Sequence, residues 1–131
     1  MNGDCYNGSM HRRIPFRQGD ILLVDFGTEA VGNRRGGRMR PAMIVGNSKT
    51  MNTGSLLLVV PLYRQPSRDC QSGDFFLKPA SCRGLRYAEY MQPLHVMPVR
   101  KVQVVRRIGQ LTDTDLKIEI LNAIKNILID E

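Results

Sequence analysis

The chain consists largely of short apolar runs separated by turn residues, and this pattern limits the folds open to it. Six runs have the length of β-strands and are rich in residues that favour strands. They cover residues 21–26, 42–45, 56–62, 75–77, 90–96 and 102–105. Several short strands at this spacing predict an antiparallel barrel or sandwich.

The last segment changes to a helical period. Leu116, Ile120 and Ile124 recur at a spacing of four residues, and Thr112 with Asp115 resembles a capping box just before them. We therefore predict one C-terminal helix that packs on the barrel or is partly buried in a dimer. The apolar residues assigned to its packed side are Leu116, Ile118, Ile120, Leu121, Ala123, Ile124, Ile127, Leu128 and Ile129.

The length of 131 residues fits one hydrophobic core and is too short for two ordinary domains. Residues 1–16 are polar, contain glycine and show no period, so they are predicted to form a flexible N-terminal arm. The single domain is then expected to span residues 17–131.

Positive charge is concentrated in the body of the chain. Residues 1–112 hold 17 Lys and Arg against 7 Asp and Glu, whereas residues 113–131 hold 2 against 5. A field of this sign attracts polyanions and favours their encounter, so the composition indicates a nucleic acid or an acidic protein as partner.

The cysteines and the apolar runs exclude several classes of protein. Cys5, Cys70 and Cys82 are an odd number and none lies in a CxxC pair, which argues against a structural zinc site or a disulfide framework. The longest apolar runs are too short to cross a bilayer, and no secretory leader is recognisable. We expect a cytoplasmic protein without metal, cofactor or membrane contact.

Three segments carry the signature of a known family. They read RQGDILLVDFG (17–27), GGRMRPAMIVGN (36–47) and SLLLVVPL (55–62). In this order they resemble the N-terminal half of the MazF/PemK toxins of type II toxin–antitoxin systems. The later segments GLRYAEYMQPLHVMPVRKV and IGQL followed by a helix are similar but looser, so the resemblance covers residues 17–130.

The resemblance implies a mainly β fold, an SH3-like antiparallel barrel with a C-terminal helix. It further implies a homodimer whose groove binds single-stranded RNA and whose partner is an acidic antitoxin. Such toxins are sequence-specific endoribonucleases that need no metal. The ribose 2′-hydroxyl attacks the adjacent phosphate and leaves a cyclic phosphate and a 5′-hydroxyl.

Arg40 is the first catalytic candidate. It directly precedes Pro41 at the start of an apolar run and matches the functional arginine of the family. A guanidinium stays charged and can place two hydrogen bonds on phosphate oxygens, which suits it to stabilise a phosphorane.

Tyr63 is the second catalytic candidate and a departure from the family. The family usually places Thr or Ser after the Pro-Leu that closes this strand, whereas this chain has tyrosine. A phenol can still donate a hydrogen bond, but it is bulkier than a small hydroxyl. Thr50, Thr53 and Ser55 are the other hydroxyls that could take this role.

The remaining candidates are predicted to bind RNA. Several lie in the long connections 27–40 and 64–74, because connections of this length are commonly functional. His95 could act as an acid or base or stack on a nucleobase, and Asp74 stands where some relatives have histidine. The RNA-binding set is Arg34, Arg35, Arg38, Asn47, Arg64, Asp74 and His95.

Two other functions compete with the nuclease. The CcdB-type poisons share the fold and act by gripping DNA gyrase, so they need no cleavage residues. A basic barrel that only binds nucleic acid is the other alternative, although a chain with no Trp and 6% aromatic residues is poorly supplied with stacking surfaces. The Arg-Pro pair within its motif favours the nuclease.

Overall fold

The computed structural model describes residues 4–5, 15–27, 38–65 and 74–129. Its strands are β1 (Asp4–Cys5), β2 (Asp20–Asp25), β3 (Met39–Ile44), β4 (Leu56–Tyr63), β5 (Phe75–Leu77), β6 (Cys82–Arg83), β7 (Glu89–Met91), β8 (Met97–Arg100) and β9 (Val104–Leu111). Two α-helices are present in this part of the chain, α1 (Ser48–Met51) and α2 (Thr114–Leu128).

All strand pairs described are antiparallel, and together they form one sheet that curls into a nearly closed barrel. The order along the sheet is β1-β9-β2-β3-β4-β7-β5, with β6 also on β9 and β8 also on β4. The prediction of an antiparallel barrel followed by a C-terminal helix is confirmed.

The sheet buries two apolar clusters on its opposite faces, as expected from the alternation of side chains along strands. The first cluster contains Leu22, Ala42, Ile44 and Tyr63. The second contains residues of β2, β4 and β7 together with the buried side of α2, among them Ile21, Leu62, Met91, Ile120 and Ile124.

Three predicted strands differ from the observed ones. The run 90–96 begins in β7 and ends in a 3₁₀ turn at Pro93–His95, and β8 starts only at Met97, because proline lacks the N–H that a continuous ladder needs. Only residues 104 and 105 of the run 102–105 are strand, because residues 102 and 103 lie in a 3₁₀ turn (Lys101–Gln103). They begin the longer β9, which continues through Arg106, Arg107 and Gln110. The run 42–45 starts earlier, so that Arg40 and Pro41 lie within β3.

The helix α2 differs from the prediction at its N-cap and in the width of its packed side. Its N-cap is Asp113, whose side chain accepts from the backbone N–H of Leu116, whereas the hydroxyl of Thr112 donates to the carbonyl of Ser81. The packed side is also narrower than predicted. Ile118, Ile127, Leu128 and Ile129 are exposed, since the buried contacts of this helix follow a stripe through Ile120 and Ile124.

The short helix α1 was not expected from the sequence. Asn47 caps it, because its side-chain oxygen accepts from the backbone N–H groups of Lys49 and Thr50. At the other end, the side chain of Asn52 bonds to both backbone groups of Phe16. Phe16 is itself buried in the first cluster, so the packed domain already includes the last residue of the segment assigned to the arm.

Neither helix in the described ranges is long and apolar enough to cross a membrane.

Candidate active site

Arg40 is positioned by the strand on which it lies. The side-chain period of two places it on the same face of β3 as Ala42 and Ile44, which are both in the first cluster. Its Cζ lies 4.9 Å from the ring centroid of Tyr63, over the face of the ring. The Nε of Arg40 is buried and meets no hydrogen-bond partner in the described part of the chain.

Tyr63 connects Arg40 with His95. Only 2% of the tyrosine is exposed, and its ring meets the ring of His95 edge to face with centroids 5.8 Å apart. The Nδ1 of His95 is buried and lacks a hydrogen-bond partner among the described residues. The structure therefore brings together three of the residues chosen from the sequence.

Glu89 is a site residue that the sequence interpretation missed. The register of β4 and β7 pairs Tyr63 with Tyr90, so the next step along the ladder places Arg64 opposite Glu89. The Nε of Arg64 donates to Oε2 of Glu89 at 2.8 Å, and the carboxylate side chain is only 6% exposed. Burial raises the pKa of Glu89, whereas the hydrogen bond from Arg64 and the charges of Arg64 and Arg40 lower it.

A cleft of about 400 Å³ opens beside this pair, and we call it the Glu89 cleft. The guanidinium of Arg64 lies over the ring of Tyr87 at its rim, with Cζ 4.0 Å from the ring centroid. Among the described residues that line the cleft, Glu89 is the one acidic residue, and the others are basic, aromatic or apolar. The lining residues are Pro41, Arg64, Gly84, Leu85, Arg86, Tyr87, Glu89, Arg106 and Ile108.

A second cleft of about 300 Å³ shares Gly84 and Ile108 with the first. It contains Arg17, Arg83 and Arg107. The Nη2 of Arg107 lies 3.1 Å from Oδ2 of the buried Asp20. Arginines thus line both clefts, on either side of the Gly84 and Ile108 backbone that separates them.

The other RNA-binding candidates have separate positions. Arg38 is exposed and pairs with Asp25 at 2.9 Å, and the pKa of Asp25 is lowered by the backbone N–H of Gly27 and then by Arg38. Asp74 accepts from Nε2 of the buried Gln92 at 2.7 Å, and the other amide atom of Gln92 caps the turn that carries His95. Arg34 and Arg35 lie outside the described residues.

Asn47, another of the RNA-binding candidates, has a local structural role. Its side-chain oxygen is bonded within the cap of α1, as described above. No three His, Cys, Asp or Glu side chains come together as a possible metal site in the described ranges.

The chain is similar in sequence to one family of toxins. A family model described as PemK-like, MazF-like toxin of type II toxin–antitoxin system matches residues 17–128. No curated protein sequence gives a match to the chain.

Solved structures share the fold. MazF from Deinococcus radiodurans (Form-I) is 13% identical, with a TM-score of 0.68 over 87% of this chain and 96% of that one. The MazE–MazF structure (Form-II) from the same organism is 13% identical, with a TM-score of 0.63 over 89% and 98%. An endoribonuclease from a mycobacterial species, in complex with its cognate antitoxin, is 15% identical, with a TM-score of 0.60 over 87% and 92%.

Proposed function

Because the chain belongs to the family of PemK-like and MazF-like toxins of type II toxin–antitoxin systems, we propose that it is a metal-independent, sequence-specific endoribonuclease. Its substrate is single-stranded RNA, and its reaction is attack of a ribose 2′-hydroxyl on the adjacent phosphate. The observation that carries this proposal is the position of Arg40. Its guanidinium lies over the ring of the buried Tyr63, and Arg40 as a whole is only partly buried, so the exposed part of the side chain can reach a phosphate.

Three features of the site support this proposal. A pentavalent phosphorane needs nearby positive charge, which Arg40 supplies from a strand and not from a loop tip. The RNA backbone needs cationic contacts, which Arg64, Arg86 and Arg106 offer along the Glu89 cleft. Tyr87, exposed beside Arg64, adds an aromatic face on which a nucleobase can stack.

The same surface suits an acidic antitoxin. Arginines that bind phosphates offer equivalent hydrogen bonds to carboxylates, so an acidic peptide and RNA would compete for the cleft. We include a homodimer in the proposal, because the exposed apolar side chains of α2, among them Ile118 and Leu128, would be covered by a second copy.

The proposal is tested by incubating purified protein, in the presence of EDTA, with a long single-stranded RNA of mixed sequence. Cleavage should yield fragments that begin with a 5′-hydroxyl and end in a cyclic phosphate. The same RNA with 2′-O-methyl riboses should stay intact, because it has no nucleophile. RNA that remains whole at every protein concentration would contradict the nuclease and favour the non-catalytic poison of a protein target.

Tyr63 is too deeply buried to be proposed as a group that touches RNA, and we propose that it positions Arg40 instead. Tyr63→Phe keeps the ring and should leave kcat within a few-fold of the parent. Tyr63→Leu removes the cation–π contact and should lower kcat roughly tenfold, with little change in KM. Cleavage rates of the two variants test this prediction, and thermal unfolding of each variant shows whether it is still folded. If both variants lower kcat equally, the hydroxyl of Tyr63, and not its ring, is needed for cleavage.

A further inference from the structure

Glu89 is the feature of the Glu89 cleft that phosphate binding does not explain. An RNA backbone is a polyanion, and a carboxylate placed among arginines weakens the attraction that they exert on it. Glu89 nevertheless lines the cleft from β7, with 6% of its side chain exposed. A carboxylate accepts hydrogen bonds and donates none, so it suits the part of an RNA chain that carries N–H donors, the edges of the bases.

Glu89 and Arg64 together present three polar groups in a row. Arg64 donates from Nε to Oε2 of Glu89 at 2.8 Å, and its Cζ lies 4.0 Å from the centroid of the Tyr87 ring. The guanidinium is therefore fixed at its edge by the carboxylate and on its face by the ring. In the described part of the chain, Oε1 of Glu89 accepts no hydrogen bond, and Oε2 has a second lone pair. Oε1, Oε2 and the guanidinium thus form the order acceptor, acceptor, donor.

We propose that the Glu89 cleft is a guanine-binding site that selects the RNA sequence to be cleaved, an inference that rests on the proposed nuclease function. The Watson–Crick edge of guanine carries the amino group, the ring N1–H and the O6 carbonyl, in the complementary order donor, donor, acceptor. The amino group donates to Oε1, N1–H donates to Oε2, and O6 accepts from Arg64. Arginine is a common partner of O6, and the bases of single-stranded RNA are recognised along this edge.

The other three bases place an acceptor against the carboxylate. Adenine has an unprotonated ring N1 there, cytosine has N3 and O2, and uracil has a carbonyl oxygen on each side of its N3–H. Each of these brings a lone pair against a carboxylate oxygen and leaves a hydrogen bond unmade, which a site built from polar groups penalises. Guanine alone matches all three positions, so we expect it to be preferred by about 10- to 100-fold.

The size and position of the cleft suit a base next to the proposed reaction. Its volume of about 400 Å³ lies within the range of small-molecule pockets. Pro41, the neighbour of Arg40 on β3, belongs to its lining, so a guanine held there comes from a nucleotide close to the phosphate assigned to Arg40. Arg86 and Arg106 remain for the phosphates that flank the base.

The binding experiment compares guanosine, inosine and adenosine 5′-monophosphates by NMR titration of the purified protein. All three share the ribose and the phosphate, and the inosine nucleotide differs from the guanosine nucleotide only in lacking the amino group. The guanosine nucleotide should bind about 10- to 100-fold more tightly than the adenosine nucleotide, with the inosine nucleotide between them. Glu89→Gln should bring this ratio close to one. Glu119→Gln, on the exposed side of α2, is the matched control and should keep the ratio of the parent.

The cleavage experiment maps the fragment ends that are produced from the mixed-sequence single-stranded RNA. The parent should cut at sites that have guanine at one fixed position near the cut, and Glu89→Gln should lose this preference. Equal binding of the guanosine and adenosine nucleotides, an unchanged ratio in Glu89→Gln, or cuts without a fixed guanine would overturn the guanine site. The mononucleotides contain no bond between nucleotides, so their binding tests the site independently of cleavage. If they bind as expected while RNA stays whole, it is the nuclease function that fails.

Discussion

Arg40→Ala should reduce RNA cleavage by a factor on the order of 10² to 10³, the effect of losing one preorganised donor to a transition state. In the proposed mechanism the guanidinium, which lies over the ring of the buried Tyr63, stabilises the phosphorane. Single-turnover cleavage of the mixed-sequence RNA measures the effect. Arg40→Lys should recover little activity, because an ammonium cannot place two hydrogen bonds on one phosphate.

The control for this prediction is Arg100→Ala, which removes an exposed arginine at the end of β8, outside both clefts. It should cleave RNA as the parent does. Thermal unfolding of all three variants should stay close to the parent. Full cleavage by Arg40→Ala would exclude Arg40 from the mechanism and favour an arginine of the Glu89 cleft as the phosphate ligand.

Gly84→Ala should lower the free energy of unfolding by about 3 to 5 kcal/mol, which combines backbone strain with steric overlap. Gly84 has φ +85°, a conformation that an L side chain rarely adopts. A Cβ at this position would also overlap the carbonyl oxygen of Ile108 and lie 3.0 Å from the Cα of Gly109. Both of these neighbours belong to β9, so the backbone and not a flexible side chain would have to move. Urea unfolding measures the loss.

Gly27→Ala separates the two contributions. Gly27 also has a positive φ, of +70°, but no atom of the described residues lies within 4 Å of the position that its Cβ would take. Only strain is then expected, of about 1 to 2 kcal/mol. If the two variants lose the same stability, the close approach of Gly84 to β9 contributes nothing. Gly84 lines both clefts. Those molecules of Gly84→Ala that remain folded should therefore also cleave RNA more slowly than the parent.

The strands with apolar sequences could be predicted, and those with polar ones could not. The run 56–62 corresponds to β4 and the run 75–77 to β5, because each buries side chains that water disfavours. The greater part of β9 was missed, since Arg106, Arg107 and Gln110 give no apolar period. These residues are only half-buried, and it is their pairing with β2 that makes them a strand. Such pairing depends on residues distant in sequence.

The candidate site shows the same division. Arg40 was found because a short local motif carries it, and the resemblance to a family supplied its role. Glu89 was missed because its burial depends on the register between β4 and β7, which no local pattern reveals. One signal was nevertheless present in the sequence. Glu89 is the only acidic residue between Asp74 and Asp113, in a stretch rich in arginine.

The pairing of β2 with β9 also governs when the molecule can assemble. Ile21 lies opposite Gly109, so the barrel cannot close until most of the chain has left the ribosome. Until then one edge of β2 has no strand to pair with and is open to other chains. Arg40, Tyr63 and Glu89 are all translated before β9, yet Arg106 and Ile108 of β9 complete the cleft beside them. A product of interrupted translation that ended before residue 104 would therefore carry all three side chains and lack the wall that encloses them.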